Sequence, residues 1–200
     1  MKTTKKMSSV VKVLLFVFLI GTTNTLLANG ENPKLTISKE NDKSFAIAFE
    51  NQKKLDVKIT FRDAASVILF KETVKDVKQL SKTFDLKGLP DGKYFLEVEN
   101  KKSVYNQLIT IKNEKLFYNE AGVTTINKPV TYVKEDTLYV SSNIEKNVAV
   151  QITIFNNVGE IVHQETSTVQ NNLNKKYIFL DGRPNDYKVS VKYNGLTFNL

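Results

Sequence analysis

Short stretches of the chain alternate apolar and polar residues. Phe45, Ile47 and Phe49 do so, and so do Val57, Ile59 and Phe61. A period of two puts every second side chain on one face of a β-strand. Strands are expected over 34–38, 44–50, 56–62, 67–73, 81–86, 93–99 and 104–111, and again over 130–133, 137–141, 149–155, 161–166, 176–180, 187–191 and 196–199. Turn-forming residues separate them: Asn41-Asp42, Asp63 to Ser66, Pro90-Asp91-Gly92, Asn100 to Lys102 and Asn156-Asn157-Val158-Gly159. The one stretch open to a helical reading, Thr73 to Leu80, lacks caps and a sustained 3.6-residue period.

The two sets of strands match at an offset of 93 residues. Val57, Ile59 and Thr60 correspond to Val150, Ile152 and Thr153; Ile68, Glu72 and Thr73 to Ile161, Glu165 and Thr166; Leu80 and Lys82 to Leu173 and Lys175; Tyr94 and Val98 to Tyr187 and Val191. A one-residue shift aligns Leu86, Gly88 and Pro90 with Leu180, Gly182 and Pro184. The period is too long for a solenoid repeat and suits duplication of a small domain.

About seven short strands in some 80–90 residues is the count of an immunoglobulin-like or fibronectin-like sandwich. The expected fold is therefore all-β: two tandem antiparallel β-sandwich domains over 33–112 and 129–200, joined by a linker over 113–128 with room for a short strand. In such sandwiches a Tyr opening the penultimate strand often bonds upstream backbone, the tyrosine corner. Tyr94 and Tyr187 stand at that position. In the linker, Phe117 and Tyr118 either wedge between domains or form an exposed contact patch.

The N-terminus has another character. Lys2, Lys5 and Lys6 precede an apolar run from Val10 to Ile20, interrupted only by Lys12, and Leu26-Leu27-Ala28 follows polar residues. This is the layout of a cleaved secretory signal peptide over 1–28, too short in its apolar run to span a bilayer. No Cys follows for lipid anchoring. Cleavage after Ala28 removes four Lys and no acid, so the net charge of +8 falls to +4, with 25 basic and 21 acidic residues remaining. With only Arg62 and Arg183 as arginines and no basic stripe, nucleic acid is not an expected partner. The absence of Cys suits an exported protein that does not rely on disulfides.

Candidate chemistry is sparse. His163 is the only imidazole and sits on an apolar strand, where it reads as a strand-face residue rather than a general base. There is no Gly-x-Ser-x-Gly elbow, no phosphate loop and no HExxH motif. Glu97 and Glu99 share a strand face, with Leu96 and Val98 on the core side, and read as exposed polar positions. Glu135 with Asp136, or Asp91 near Asp85, could offer loop oxygens to Ca²⁺ but lack the spacing of an EF-hand. No catalytic residue, cofactor or metal is expected. A carbohydrate-binding module would need aromatic platforms. There is no Trp, which leaves Tyr105, Tyr118, Tyr132, Tyr139 and Tyr193, with Tyr139 facing away from the core residues Leu138 and Val140. Phe117, Tyr118 and Tyr139 are the candidate contact aromatics.

Two segments point to a family. The run from Val150 to Val162 is an alternating strand, a polar-Gly turn and a short strand; Asp186-Tyr187-Lys188-Val189-Ser190-Val191 followed by Asn194-Gly195 completes the pattern. The region from Lys146 to the C-terminus resembles the C-terminal sorting domain of the type IX secretion system, and the first copy resembles it more loosely. In the family a Gly-x-Tyr opens the late strand; Gly92-Lys93-Tyr94 in the first copy is nearer to it than Asp186-Tyr187. The resemblance implies an exported, non-enzymatic domain read by the secretion machinery. The residues themselves suggest a non-catalytic binding or structural module of the cell envelope or exterior, with a protein partner.

Overall fold

The computed structural model describes residues 34–144, 147–179 and 182–200. The signal peptide expected over 1–28 lies outside the described residues. The chain divides into two compact units, one ending at Lys128 and one from Pro129 to Leu200. Among the described residues, all regular structure is antiparallel β apart from two single-turn 3₁₀ segments, Glu120–Gly122 and Pro184–Asp186. The units are immunoglobulin-like β-sandwiches.

The first unit contains β1 (Lys34–Asn41), β2 (Ser44–Asp63), β3 (Ile68–Asp85), β4 (Gly92–Glu99), β5 (Ser103–Lys112), β6 (Lys115–Tyr118) and β7 (Thr124–Asn127). The stretches 44–50 and 56–62, expected as two strands, are one continuous strand, as are 67–73 and 81–86. Thr73 to Leu80 is strand throughout. A straight strand would separate Phe45 from Phe61 by about 53 Å at 3.3 Å per residue. Their rings lie 6.1 Å apart. The β2–β3 hairpin therefore folds back on itself, and its two ends form opposite layers of one core. The first half of β2 pairs with β1 and the second half with β4, while β3 accompanies both. The register shifts between Glu50 and Val57, where the bend sits, and Asp76 opposite it has a positive φ of 53°. Phe45, Ile47, Phe49, Val57, Ile59 and Phe61 are all buried in that core, and Phe84 stacks on Phe45 at 5.0 Å. Full burial of such a side chain contributes roughly 1.5–3 kcal/mol.

The reading of 113–128 as a linker is corrected. β6 pairs with β5 through Ile109↔Tyr118 and Ile111↔Leu116, and β7 through Val104↔Ile126. Leu116 and Ile126 are buried. The short length of both strands and the Asn/Glu-rich turns hid this pairing, which depends on an edge of β5 that only the tertiary fold presents.

The second unit repeats the path with its bends cut. Its strands are β8 (Val130–Lys134), β9 (Thr137–Ser142), β10 (Val148–Phe155), β11 (Ile161–Val169), β12 (Leu173–Ile178), β13 (Lys188–Tyr193) and β14 (Leu196–Asn199). One sheet runs β12-β9-β8 and the other β11-β10-β13-β14. Thus β9 and β10 correspond to the two halves of β2, and β11 and β12 to the two halves of β3. Val140, Val150, Ile152, Ile154, Leu173, Tyr177 and Val191 fill its core.

The hairpins after β2 and β10 show the duplication at atomic detail. In one, Asp63 N–H donates to Val67 O and Ser66 N–H to Asp63 O; in the other, Asn156 N–H donates to Glu160 O and Gly159 N–H to Asn156 O. Ser66 and Gly159, 93 residues apart, occupy the same left-handed position, with φ of 67° and 86°.

Candidate functional site

The loop that carries the family-like Gly-x-Tyr is held from two sides. Tyr94 Oη donates to Pro90 O at 2.7 Å, four residues upstream. Its ring stacks on Phe61 at 5.6 Å. Burial, reinforced by the nearby Asp63 carboxylate, raises the phenol above its ordinary value, so it stays a donor. From the other side Lys43, buried to 7% exposure, donates through Nζ to Lys87 O, Leu89 O and Glu114 Oε2. Asp91 accepts from the Asn113 and Glu114 amides, so both its oxygens are engaged in holding the turn. The sequence gives no sign of Lys43, because its partners come from positions 44 to 71 residues away.

Tyr187 stacks on Phe179 at 4.0 Å, and a Cβ on Gly182 would lie 3.1 Å from its hydroxyl. Phe117 is exposed on β6, and Tyr118 packs on the first core with its hydroxyl 3.4 Å from Ile37 O. Tyr139 stacks on Tyr132, its cross-strand partner, at 4.7 Å and an interplanar angle of 2°. Lys176 stands beside Tyr139 on β12, so the row Tyr132–Tyr139–Lys176 crosses the outer face of this sheet. The matching face of the first unit presents Thr36, Ala48 and Ser81 in one row, with no aromatic side chain.

His163 lies on the core side of β11, opposite Ile154. Glu165 follows opposite Ile152 and accepts from Tyr177 Oη at 2.5 Å and Lys175 Nζ at 2.9 Å; His163 Nε2 is 3.8 Å from it. Burial raises the Glu165 carboxyl, but the Tyr177 and Lys175 hydrogen bonds outweigh it and hold the group below the ordinary glutamate range. Burial and the same hydrogen bond drive the Tyr177 phenol far upward. The first unit carries the same ion pair, Lys82 with Glu72, but there Phe70 and Phe84 replace His163 and Tyr177. The pair thus closes the open side of each sandwich; the sequence showed its repetition but not the contact.

Glu99 accepts from both Lys58 and Lys128. Burial acts to raise its carboxyl, and the two lysines override that and lower it. This clamp borders an open groove of about 530 Å³ lined also by Lys54, Asp76 and Lys101. Glu97 is a cross-strand partner of Thr60 and is not part of the clamp. Among the described residues no three His, Cys, Asp or Glu side chains gather to hold a metal. Ser167, the next hydroxyl on the same face of β11 as His163, is four residues away, about 13 Å.

Residues 40–112 match the family model of the secretion system C-terminal sorting domain. The match covers the first copy, the one with Gly92-Lys93-Tyr94, whereas the sequence resemblance is to the region from Lys146 onward first and to this copy more loosely. No curated relative matches the chain. Among solved structures, native alpha-2-macroglobulin from Escherichia coli, spanning domains NIE-MG1, aligns with 10% identity and a TM-score of 0.28, covering 85% of this chain and 98% of that one. A two-domain fibronectin type III segment from chicken tenascin aligns with 13% identity and a TM-score of 0.26, covering 85% and 99%. No described helix is long and apolar enough to cross a membrane.

Proposed function

We propose that this chain is a non-catalytic exported protein whose immunoglobulin-like units serve a type IX secretion machine as sorting domains. The observation that carries this reading is the family match over residues 40–112. The repeated topology supports extending the role to the second unit, which follows the same strand path. The loop between β3 and β4, braced by Lys43 and Tyr94, is the surface we assign to recognition in the first unit, since a turn held rigidly costs little ordering entropy on binding. The test fuses a secretory reporter to residues 34–200, 34–128 or 129–200 in a type IX-competent host. Export past the periplasm is expected with all three fusions. A reporter retained in the periplasm with every fusion rejects the reading.

A second reading, a carbohydrate-binding module, is favoured by the exposed Tyr132–Tyr139 stack beside Lys176. With no Trp in the chain, emission comes from its eight tyrosines, two of them in this stack. Titration with soluble envelope polysaccharide should change that emission, and Tyr132→Ala should abolish the change; an unaltered spectrum rejects it.

A further inference from the structure

We propose that the outer edge of β11 pairs with the β11 edge of a second copy of this chain, joining two four-stranded sheets into one. Among the described residues, β11 ends its sheet and pairs only with β10. An unpaired edge offers a row of free N–H and C=O groups, and proteins usually blunt such edges with lysines, bulges or shortness.

The duplication supplies an internal control. The same edge in the first unit, β3, carries Lys71, Lys75 and Lys78 on exposed positions and a left-handed kink at Asp76. At the offset of 93, Lys71 becomes Gln164 and Lys75 becomes Thr168. The exposed face of β11 is then Gln164, Thr166 and Thr168, with no charge and no proline. Its other edge-forming neighbours are protected: β8 and β14 have five and four residues, and β12 carries Lys175 and Lys176. The outer-face lysines are present on one copy and absent from the other, while a bulge is common to both, at Leu69 in β3 and at Val162 in β11.

The register follows from charge. A two-fold axis perpendicular to the sheet keeps core-side residues on the same side and must pass between a residue and its own counterpart, so that N–H groups of one copy face C=O groups of the other. Centring it on Glu165 sets two carboxylates opposite one another, which is unfavourable. Centring it on Gln164 sets His163 of each copy opposite Glu165 of the other, and Val162 opposite Thr166. His163 Nε2 is buried and has no hydrogen-bond partner among the described residues, so this register gives it an acceptor in the dimer. The paired stretch centres on His163 to Glu165 of each copy and is bounded on the N-terminal side by the bulge at Val162.

The chain has no Cys, so a single introduced thiol can form a disulfide only between copies. Across the axis at Gln164 the Cα atoms would be about 4.5–5.5 Å apart, within disulfide reach. At Val162 the same two atoms would be about 13 Å apart. Under mild oxidation Gln164→Cys should give a covalent dimer in high yield and Val162→Cys little. Sedimentation equilibrium of the unaltered chain should show a monomer–dimer equilibrium. Gln164→Lys with Thr168→Lys, which copies the first edge's charges onto the second, should raise its dissociation constant at least tenfold while far-UV circular dichroism stays unchanged. A chain that stays monomeric, as it would if this edge took a strand from a different protein, overturns the proposal. So does crosslinking at Val162 in preference to Gln164, or a dimer indifferent to the two lysines.

Discussion

At the scale of single residues, the side chains that brace loops and close sheet edges are polar ones with apolar surroundings. Tyr94 shows the pattern: an aromatic body stacked on Phe61 and a hydroxyl spent on Pro90 O. Tyr94→Phe keeps the stacking and removes the bond. It should lower stability by about 1 kcal/mol and the melting temperature of the unit that contains it by about 4–8 °C, measured by thermal circular dichroism. Glu99 and Glu165 make the acid limb sensitive. Both carboxyls are held below the usual value by lysines, with Tyr177 adding to Glu165. A depressed folded pKa contributes stability that is fully present above the unfolded value, about 4.3, and is lost as pH falls through the lowered one. Glu165→Gln should therefore lower the urea midpoint at pH 7 and differ much less from the unaltered chain at pH 3. An equal deficit at both pH values would show that packing, not charge, dominates there.

At the scale of elements, the two copies test each other. Ser66 holds a left-handed conformation that its counterpart Gly159 takes without a Cβ. The left-handed region costs a non-glycine residue roughly 1–2 kcal/mol, offset by glycine's greater freedom in the unfolded chain. Ser66→Gly should accordingly raise stability by several tenths of a kcal/mol, about 0.5, and Gly159→Ala should lower it by about 1, both read from urea unfolding. β6 and β7 provide a second element-scale prediction. A fragment 34–128 should fold, whereas 34–112 should lose the burial contributed by Leu116 and Ile126, roughly 1.5–3 kcal/mol each, and leave β5 an open edge prone to association. Equal melting temperatures for the two fragments would contradict the assignment of these strands to the first unit.

At the scale of the whole molecule, each unit has its own hydrophobic core, and substitutions in different cores should act separately. Tyr94→Phe and Gly159→Ala combined should shift two distinct unfolding steps, each by the effect of its own single substitution, as scanning calorimetry would show. Much of this architecture was legible in the chain. Alternation such as Phe45-Ile47-Phe49 and turn residues such as Asn156 to Gly159 are local signals, and the 93-residue repeat with its Gly-x-Tyr fixes the duplication and the family resemblance without any contact being known. What the tertiary structure alone decided is where distant segments meet. It bent β2 so that Phe45 reaches Phe61, recruited 115–118 and 124–127 onto β5, brought Lys43 under the loop before Tyr94, and closed Glu165 between Tyr177 and Lys175. The physical reason is range. Strand and turn preferences are set by φ/ψ and side-chain period over a few residues, whereas edges, braces and ion pairs exist only once two apolar faces have buried each other and fixed which polar groups lie within hydrogen-bond reach.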